Sequence, residues 1–109
     1  MLGKTVKVKI DRPIGSCHPQ YTTLRYTLNY GYIEGVWSGD GEELDAYVLG
    51  VDRPISEFVG RVIAILHRLD DNEDKLVVAP HGASFTREEV ISATEFVEKY
   101  FHTEMEMEE

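Results

Sequence analysis

The sequence has little cysteine, tryptophan or proline: one Cys, one Trp and four Pro in 109 residues. Because a single cysteine cannot form an intrachain disulfide, the simple inference is a reducing, cytoplasmic setting. No apolar run approaches the roughly 20 residues that a membrane-spanning helix needs. The first ten residues alternate lysine with valine and isoleucine, unlike the apolar core of an export signal. These absences predict one domain over residues 1–109, with no membrane partner.

Basic residues are also scarce: 11 Lys and Arg against 20 Asp and Glu give a net charge of −9. Binding to a phosphate backbone needs a basic footprint, so the charge argues against a nucleic-acid partner. It is compatible with a protein that concentrates cations. Part of the acidic excess lies in the tail from about residue 103 to residue 109, where Glu alternates with Met. This composition predicts a solvated, disordered end.

Period-two alternation and β-branched residues predict about five short strands. These lie at residues 4–11, within 21–33, and at 44–51, 59–69 and 75–79. Capping-box spacing at Thr86 and at Ser92 precedes apolar residues at helical spacing, so either one helix over 86–102 or a turn followed by a helix from about Thr94 is expected. Strands clustered before a helix indicate an α+β fold, and a small closed barrel would hide the strand edges.

One acidic turn is a candidate metal site. Asp40 and Glu42 share a face of an extended chain, and Asp45 joins them if the chain turns at the neighbouring glycines. A divalent cation would relieve the repulsion among the three carboxylates, and Mg²⁺ prefers such hard oxygen ligands. The alternative is an ordinary solvated turn. The four histidines show no zinc-ligand spacing.

A second acidic group, Asp70, Asp71, Glu73 and Asp74, precedes Lys75. Taken alone, it is typical of a polar hairpin turn. Taken with the first group, it suggests two acidic loops that flank one site, as two-metal phosphoryl hydrolysis requires.

Two stretches of the chain carry a family resemblance. The first is Tyr-Thr-Leu-Asn-Tyr-Gly-Tyr-Ile at residues 26–33, and the second is the acidic segment at 38–45. Their residues and spacing resemble the soluble family I inorganic pyrophosphatases, with a pattern close to YPxNYGYI, a spacer, then DGDPxD. Asp70, the residues from Lys75 to Val77, and the late Lys99-Tyr100 pair follow in the family's order.

The resemblance implies a five-stranded OB-like β-barrel with a C-terminal helix packed outside, and Mg²⁺-dependent hydrolysis of pyrophosphate to two phosphates. It implies that Glu42 activates the attacking water in a catalytic centre that includes Asp40 and Tyr30. The implied metal ligands are Asp40, Asp45, Asp70, an acid near Asp11, and either Glu73 or Asp74. The implied phosphate ligands are Lys75, Tyr30 and Tyr100. A homo-oligomer is the family default.

Several family positions differ in this chain. Glu42 replaces an Asp and is one methylene longer, and Gln20 and Phe101 stand where the family has phosphate-binding lysines. Thr22 replaces a Glu, and a family hairpin with its Arg is missing, although Arg25 lies nearby. Since losing one preorganised donor costs roughly 10²–10³ in rate, weakened activity is expected. Arg12, Arg25 and His18 are possible replacements. The alternatives are a non-catalytic metal and phosphate binder, or a hydrolase of another phosphoanhydride such as a nucleotide.

Overall fold

The structure is a computed structural model, and it describes residues 1–39, 41–71 and 73–108. Its strands are β1 (Thr5–Arg12), β2 (Asn29–Trp37), β3 (Glu43–Val48), β4 (Glu57–Arg68), β5 (Glu73–Ala79) and β6 (Thr103–Met107), with helix α1 (Arg87–Glu98) before β6. The first five strands hydrogen-bond in the order β1-β2-β3-β5-β4, and β4 returns to β1. The predicted closed five-stranded barrel with one helix outside is therefore confirmed.

The C-terminal tail differs from its expected disorder. Residues 103–107 form β6, which pairs antiparallel with the second half of β4, while β1 pairs with the first half. Their alternating Glu and Met place Met105 and Met107 against the apolar layer under the helix, and leave the glutamates outside. The number of glutamates suggested a solvated end, but their alternation with methionine is the pattern of a strand with one apolar face.

Two apolar clusters lie on the two faces of the sheet. One fills the barrel with side chains from all five strands, such as Val8, Ile33 and Leu76. The other, which includes Tyr47 and Val77, lies between the barrel and α1. A single helix forms because Thr86 caps it in a complete capping box with Glu89. The candidate site lies on this outer, helix-covered face.

The segment before β2 is a loop, although its Tyr and Thr content predicted a strand. Asn29, fully buried at the start of β2, organises this region. Its side-chain oxygen accepts a hydrogen bond from the Ile14 backbone N–H (3.1 Å), and its amide donates to the Arg53 carbonyl (2.9 Å). Asn29 thus ties the loop to the β3–β4 connection beside the cleft.

Gly31 lies where β1 and β2 approach most closely. A Cβ added there would lie 1.8 Å from the Lys9 carbonyl oxygen, so the strands would have to separate. We expect Gly31→Ala to lower the free energy of unfolding by about 3 kcal/mol, the upper end of the usual overpacking cost. Urea unfolding measures the loss. Gly35→Ala is the comparison: nothing lies within 4 Å of its added Cβ, so its loss comes only from the positive φ of 79°, which costs an L-residue roughly 1–2 kcal/mol. A smaller loss at Gly31 than at Gly35 would contradict the prediction.

Candidate active site

The strand register brings four predicted site residues together. Asp45 on β3 pairs with Lys75 on the parallel strand β5 and with Tyr32 on β2. Tyr30 is two residues before Tyr32, so it lies on the same face as Asp45. Glu73 is two residues before Lys75, so it also shares that face. All four side chains line one cleft of about 910 Å³ between the barrel and α1.

Lys75 is the centre of this group. Its ammonium donates hydrogen bonds to Asp45 Oδ2 (2.6 Å), to the Tyr30 hydroxyl (3.0 Å) and to Glu73 Oε1. Tyr30 in turn donates to Asp45 Oδ2 (2.8 Å). Burial, with the nearby Asp45 carboxylate, raises the pKa of Tyr30 well above its ordinary value, so the hydroxyl stays protonated. A buried cation held between two carboxylates can bind a phosphate oxygen by exchanging one of these partners.

Behind the cleft lies a buried charge network that the sequence did not reveal. Arg68 on β4 donates from Nε to Glu98 Oε1 (3.0 Å) and from Nη2 to Glu98 Oε2 (2.6 Å). Glu98 also accepts hydrogen bonds from Tyr47 (2.6 Å) and Thr103 (3.0 Å). The guanidinium stacks 3.8 Å from the centre of the Phe101 ring. This network fastens the end of α1 to the barrel.

The pKa values of the pair follow from these contacts. Burial alone would lower the pKa of Arg68 and raise that of Glu98. The hydrogen bonds and the charge attraction between the two groups, together with the hydrogen bonds that Tyr47 and Thr103 donate to Glu98, outweigh burial. The pKa of Arg68 is therefore raised and the pKa of Glu98 is lowered. Both groups are therefore charged at neutral pH. A hint was available in the sequence, because Glu98 follows Thr94 by four residues and so lies on the buried face of the helix.

Other cations line the cleft, although the chain as a whole is acidic. The described lining includes Arg12, Arg25, Arg68, Lys75 and Lys99, against the carboxylates of Asp45 and Glu73. Arg12 donates to the Tyr26 hydroxyl at 2.6 Å and lies 5.5 Å from the centres of the Tyr26 and Tyr30 rings. Local charge is thus opposite in sign to the net charge of −9, which favours an anionic ligand in this cleft.

Arg25 and His18 both line the cleft, but Arg25 has free hydrogen-bond donors for a ligand whereas His18 holds the loop together. Arg25 is exposed and donates to the Gly15 carbonyl at 2.9 Å, which leaves other N–H groups for a ligand. The Nδ1 atom of His18 accepts hydrogen bonds from the backbone N–H groups of Gln20 and Tyr21. Partial burial and the nearby Arg12 lower the pKa of His18. His18 is therefore neutral at pH 7 and organises the loop.

The remaining predicted residues lie in several places. Tyr100 lines the cleft with its ring largely exposed. Asp11 on β1 lies close enough to Asp45 for the two carboxylates to interact. Partial burial raises the pKa of Asp11, the Arg12 guanidinium lowers it, and the Asp45 carboxylate raises it further. Glu42 is in the turn before β3 and is not among the lining residues, and Asp40 lies outside the described residues.

Two predicted metal ligands point elsewhere. Both Asp70 carboxylate oxygens accept a hydrogen bond from the His102 backbone N–H (3.3 and 3.2 Å), which fixes the connection between α1 and β6. Asp74 is on the opposite face of β5 from Glu73, where it contacts His67, and His67 also contacts Glu106. These two carboxylates raise the pKa of His67. Strand alternation thus places Glu73, and not Asp74, in the cleft.

The fold and the cleft define an OB-like barrel protein whose outer face suits a small polyanion. The family profile described as inorganic pyrophosphatase matches residues 2–107 of the chain. The chain therefore belongs to the inorganic pyrophosphatase family. The described residues contain no helix long and apolar enough to cross a membrane.

Individual relatives agree with this assignment. An inorganic pyrophosphatase of Sulfolobus acidocaldarius is 36% identical over 75 residues, which is 66% of this chain and 40% of the relative. The chain thus aligns with less than half of that protein. Among solved structures, an inorganic pyrophosphatase from Ehrlichia chaffeensis superposes with a TM-score of 0.72 at 20% identity, covering 98% of this chain and 88% of that one. One from Neisseria gonorrhoeae gives 0.70 at 21% identity, with coverages of 90% and 74%.

Proposed function

We propose that this protein hydrolyses pyrophosphate to two phosphates with the help of Mg²⁺. The observation that carries the proposal is the buried Lys75 held by Asp45, Glu73 and Tyr30 in a cleft whose remaining described charges are cations. Phosphoryl transfer depends mainly on positioning and on cationic stabilisation of developing charge. The chain's membership in the inorganic pyrophosphatase family supports the same chemistry.

The residues fit a magnesium ion held by few protein ligands. Within residues 1–39, 41–71 and 73–108, no three His, Cys, Asp or Glu side chains converge as metal ligands. Mg²⁺ is often held by only one or two carboxylates together with substrate phosphates and water. Asp45 and the neighbouring Asp11 would supply those carboxylates, and Glu42 in the turn before β3 would add to them. When bound, the metal would polarise the phosphate oxygens and lower the pKa of the attacking water.

The chain's own residues have separate tasks in this proposal. Lys75 binds a phosphate oxygen, and Tyr30 donates its hydroxyl proton in a hydrogen bond at the same place. Arg12, Arg25 and Tyr100 line the cleft where the other phosphate would lie. Glu42 accepts the proton of the attacking water. Because the neutral His18 and the substitutions Gln20 and Phe101 bring no charge, we expect activity below that of a site with lysines there.

A second candidate is a protein that binds metal and phosphate without turnover. The observation that favours it is the position of Glu42, whose side chain is not among the residues that line the cleft. A general base must lie within hydrogen-bond reach of its water, so this placement would separate binding from chemistry.

The test is phosphate release from pyrophosphate, measured for the purified protein with Mg²⁺, with a chelator, and for an Asp45→Asn variant. We expect Mg²⁺-dependent release that falls by at least tenfold in the variant, because the substitution removes a carboxylate charge and a partner of Lys75. Tight pyrophosphate binding in calorimetry without release would establish the second candidate. Sedimentation velocity would test whether the protein forms the homo-oligomer that the family suggests. The single cysteine supports a reducing, cytoplasmic setting for the protein.

A further inference from the structure

Pyrophosphate alone does not account for the lining of the cleft. Alongside the charged groups lie apolar and aromatic side chains: Tyr21, Leu24, Phe96, Val97, Tyr100 and Phe101. Four of these also pack in the cluster between the barrel and α1, whereas the rings of Tyr21 and Tyr100 are largely exposed. The surface of pyrophosphate consists of charged oxygens, which gain nothing from apolar walls and lose hydration against them. The lining therefore suits a ligand that carries an apolar, flat part as well as phosphates.

The size of the cleft leads to the same conclusion. Its volume of about 910 Å³ lies near the upper end of the roughly 300–1,000 Å³ found for pockets that hold drug-sized ligands. A pyrophosphate ion at Lys75 would fill a small part of this space. The space that remains lies between the loop of residues 13–26 and the C-terminal end of α1.

Tyr21 presents an aromatic face at a fixed place on that loop. Its backbone carbonyl accepts a hydrogen bond from the Leu24 N–H (2.8 Å), and its own N–H donates to His18 Nδ1 (3.1 Å). Its ring centre lies 5.0 Å from that of His18, yet the residue is 65% exposed. A held backbone with an exposed ring makes a stacking surface that requires little further ordering on binding.

The loop itself is fastened to the protein at its base. Gly15 N–H donates to the Tyr26 carbonyl, and Tyr26 N–H donates to the Ser16 carbonyl, both at 2.8 Å. Further along, His18 N–H donates to the Leu24 carbonyl at 2.9 Å. These antiparallel bonds form a short hairpin that carries the Tyr21 ring at its tip.

We propose that the cleft accepts a nucleoside diphosphate, with the base stacked on Tyr21 and the diphosphate at Lys75 and Arg12. Aromatic side chains stack on bases of any sequence, and the cations neutralise the phosphates. The proposal rests on the proposed function, because the same group at Lys75 would act on the anhydride. Water would bond to the terminal phosphorus while the bond from that phosphorus to the bridging oxygen breaks. The products are a nucleoside monophosphate, phosphate and a proton that is released to solvent.

The test compares two ligands that share one diphosphonate core: methylenediphosphonate and α,β-methylene-ADP. Both are titrated into the full chain with Mg²⁺ by calorimetry. We expect the nucleotide analogue to bind at least tenfold more tightly. Tyr21→Ala should then raise the ratio of its Kd to that of methylenediphosphonate by roughly tenfold, since stacking on one aromatic side chain is lost. Tyr21→Phe should keep the ratio of the natural protein. Thr22→Ala, an exposed neighbour outside the cleft lining, is the loop control.

The outcomes separate the two proposals. Equal affinity for the two ligands and no change in Tyr21→Ala would overturn the nucleotide inference, while pyrophosphate hydrolysis could still stand. Binding of neither ligand, together with no phosphate release from pyrophosphate, would overturn both. A third measurement is phosphate release from ADP: release that requires Mg²⁺ and falls in Tyr21→Ala supports the substrate assignment, and tight binding without release overturns it.

Discussion

Replacing Lys75 by methionine is expected to lower the rate of pyrophosphate hydrolysis by about 100-fold or more. The buried ammonium is the group that Asp45, Glu73 and Tyr30 share, so its loss removes a preorganised cation at the reacting phosphate. Removing one such donor typically costs roughly 10²–10³ in rate. Initial rates of phosphate release at saturating Mg²⁺ measure the effect, and circular dichroism confirms that the variant is folded.

The matched control is Lys7→Met, which removes an equally charged side chain from the surface. Lys7 lies 3.2 Å from Glu57, and both side chains are about half exposed. Exposed pairs of this kind contribute roughly 0–1 kcal/mol, so neither stability nor rate should change much. Activity of Lys75→Met within a few-fold of the natural protein would move the phosphate site to the Arg12 and Arg25 side of the cleft.

Replacing Glu98 by alanine is expected to lower the free energy of unfolding by about 3–5 kcal/mol. Arg68, only 7% exposed, would keep its charge but lose both of its short hydrogen bonds, and the Tyr47 hydroxyl would lose its acceptor. The buried charge that loses its close partner is the costly part of breaking such a pair. The longer contacts of Arg68 with Asp71 and Glu73, both at 3.5 Å, compensate that charge only in part. Urea unfolding followed by circular dichroism measures the change.

Two variants make the Glu98 prediction specific. Glu95→Ala removes an exposed carboxylate from the same helix and should change stability by less than about 0.5 kcal/mol. A double variant, Arg68→Met with Glu98→Leu, should recover most of the loss, since an apolar pair of similar volume leaves no buried charge. A double variant as unstable as Glu98→Ala would show that packing, and not the unpaired charge, causes the loss.

The same pair predicts how stability depends on pH. The pKa of Glu98 is lowered in the folded state from an ordinary value of 4.5. The stabilisation is therefore fully present above that value and is lost as the pH falls below it toward the folded pKa. Glu98→Gln should accordingly show a weaker dependence of unfolding free energy on pH below about 4.5 than the natural protein, and identical slopes would contradict this assignment.

The sequence predicted the barrel well because period-two alternation and β-branched residues carry that information locally. The same alternation also predicts which residues share a face, so Asp45, Tyr30 and Lys75 could be grouped once the register was known. The assignment of Asp70 depended on long-range geometry, since its contact with His102 joins residues 32 positions apart in the chain. Spacing within one segment cannot show such a contact.

The Arg68–Glu98 network is the clearest example of what local patterns miss. The two residues lie 30 positions apart and are joined only when α1 packs on the sheet. A carboxylate on the buried face of the helix signals that a partner is needed, but it does not identify the partner. The choice between Glu73 and Asp74 was decided by a simpler fact, because the hairpin between β4 and β5 sets which of the two faces the cleft.

One edge of the long strand β4 pairs with β1 along its first half and with β6 along its second half. This arrangement has a practical consequence for handling the protein. β1 covers residues 57–61 of that edge and β6 covers residues 64–68. Trimming the acidic tail to aid crystallisation would uncover the second stretch, including the backbone groups beside Ile65 and Leu66. An uncovered edge is a template for strand addition between molecules. The glutamate-rich end therefore protects the protein from aggregation through its backbone as much as through its charge.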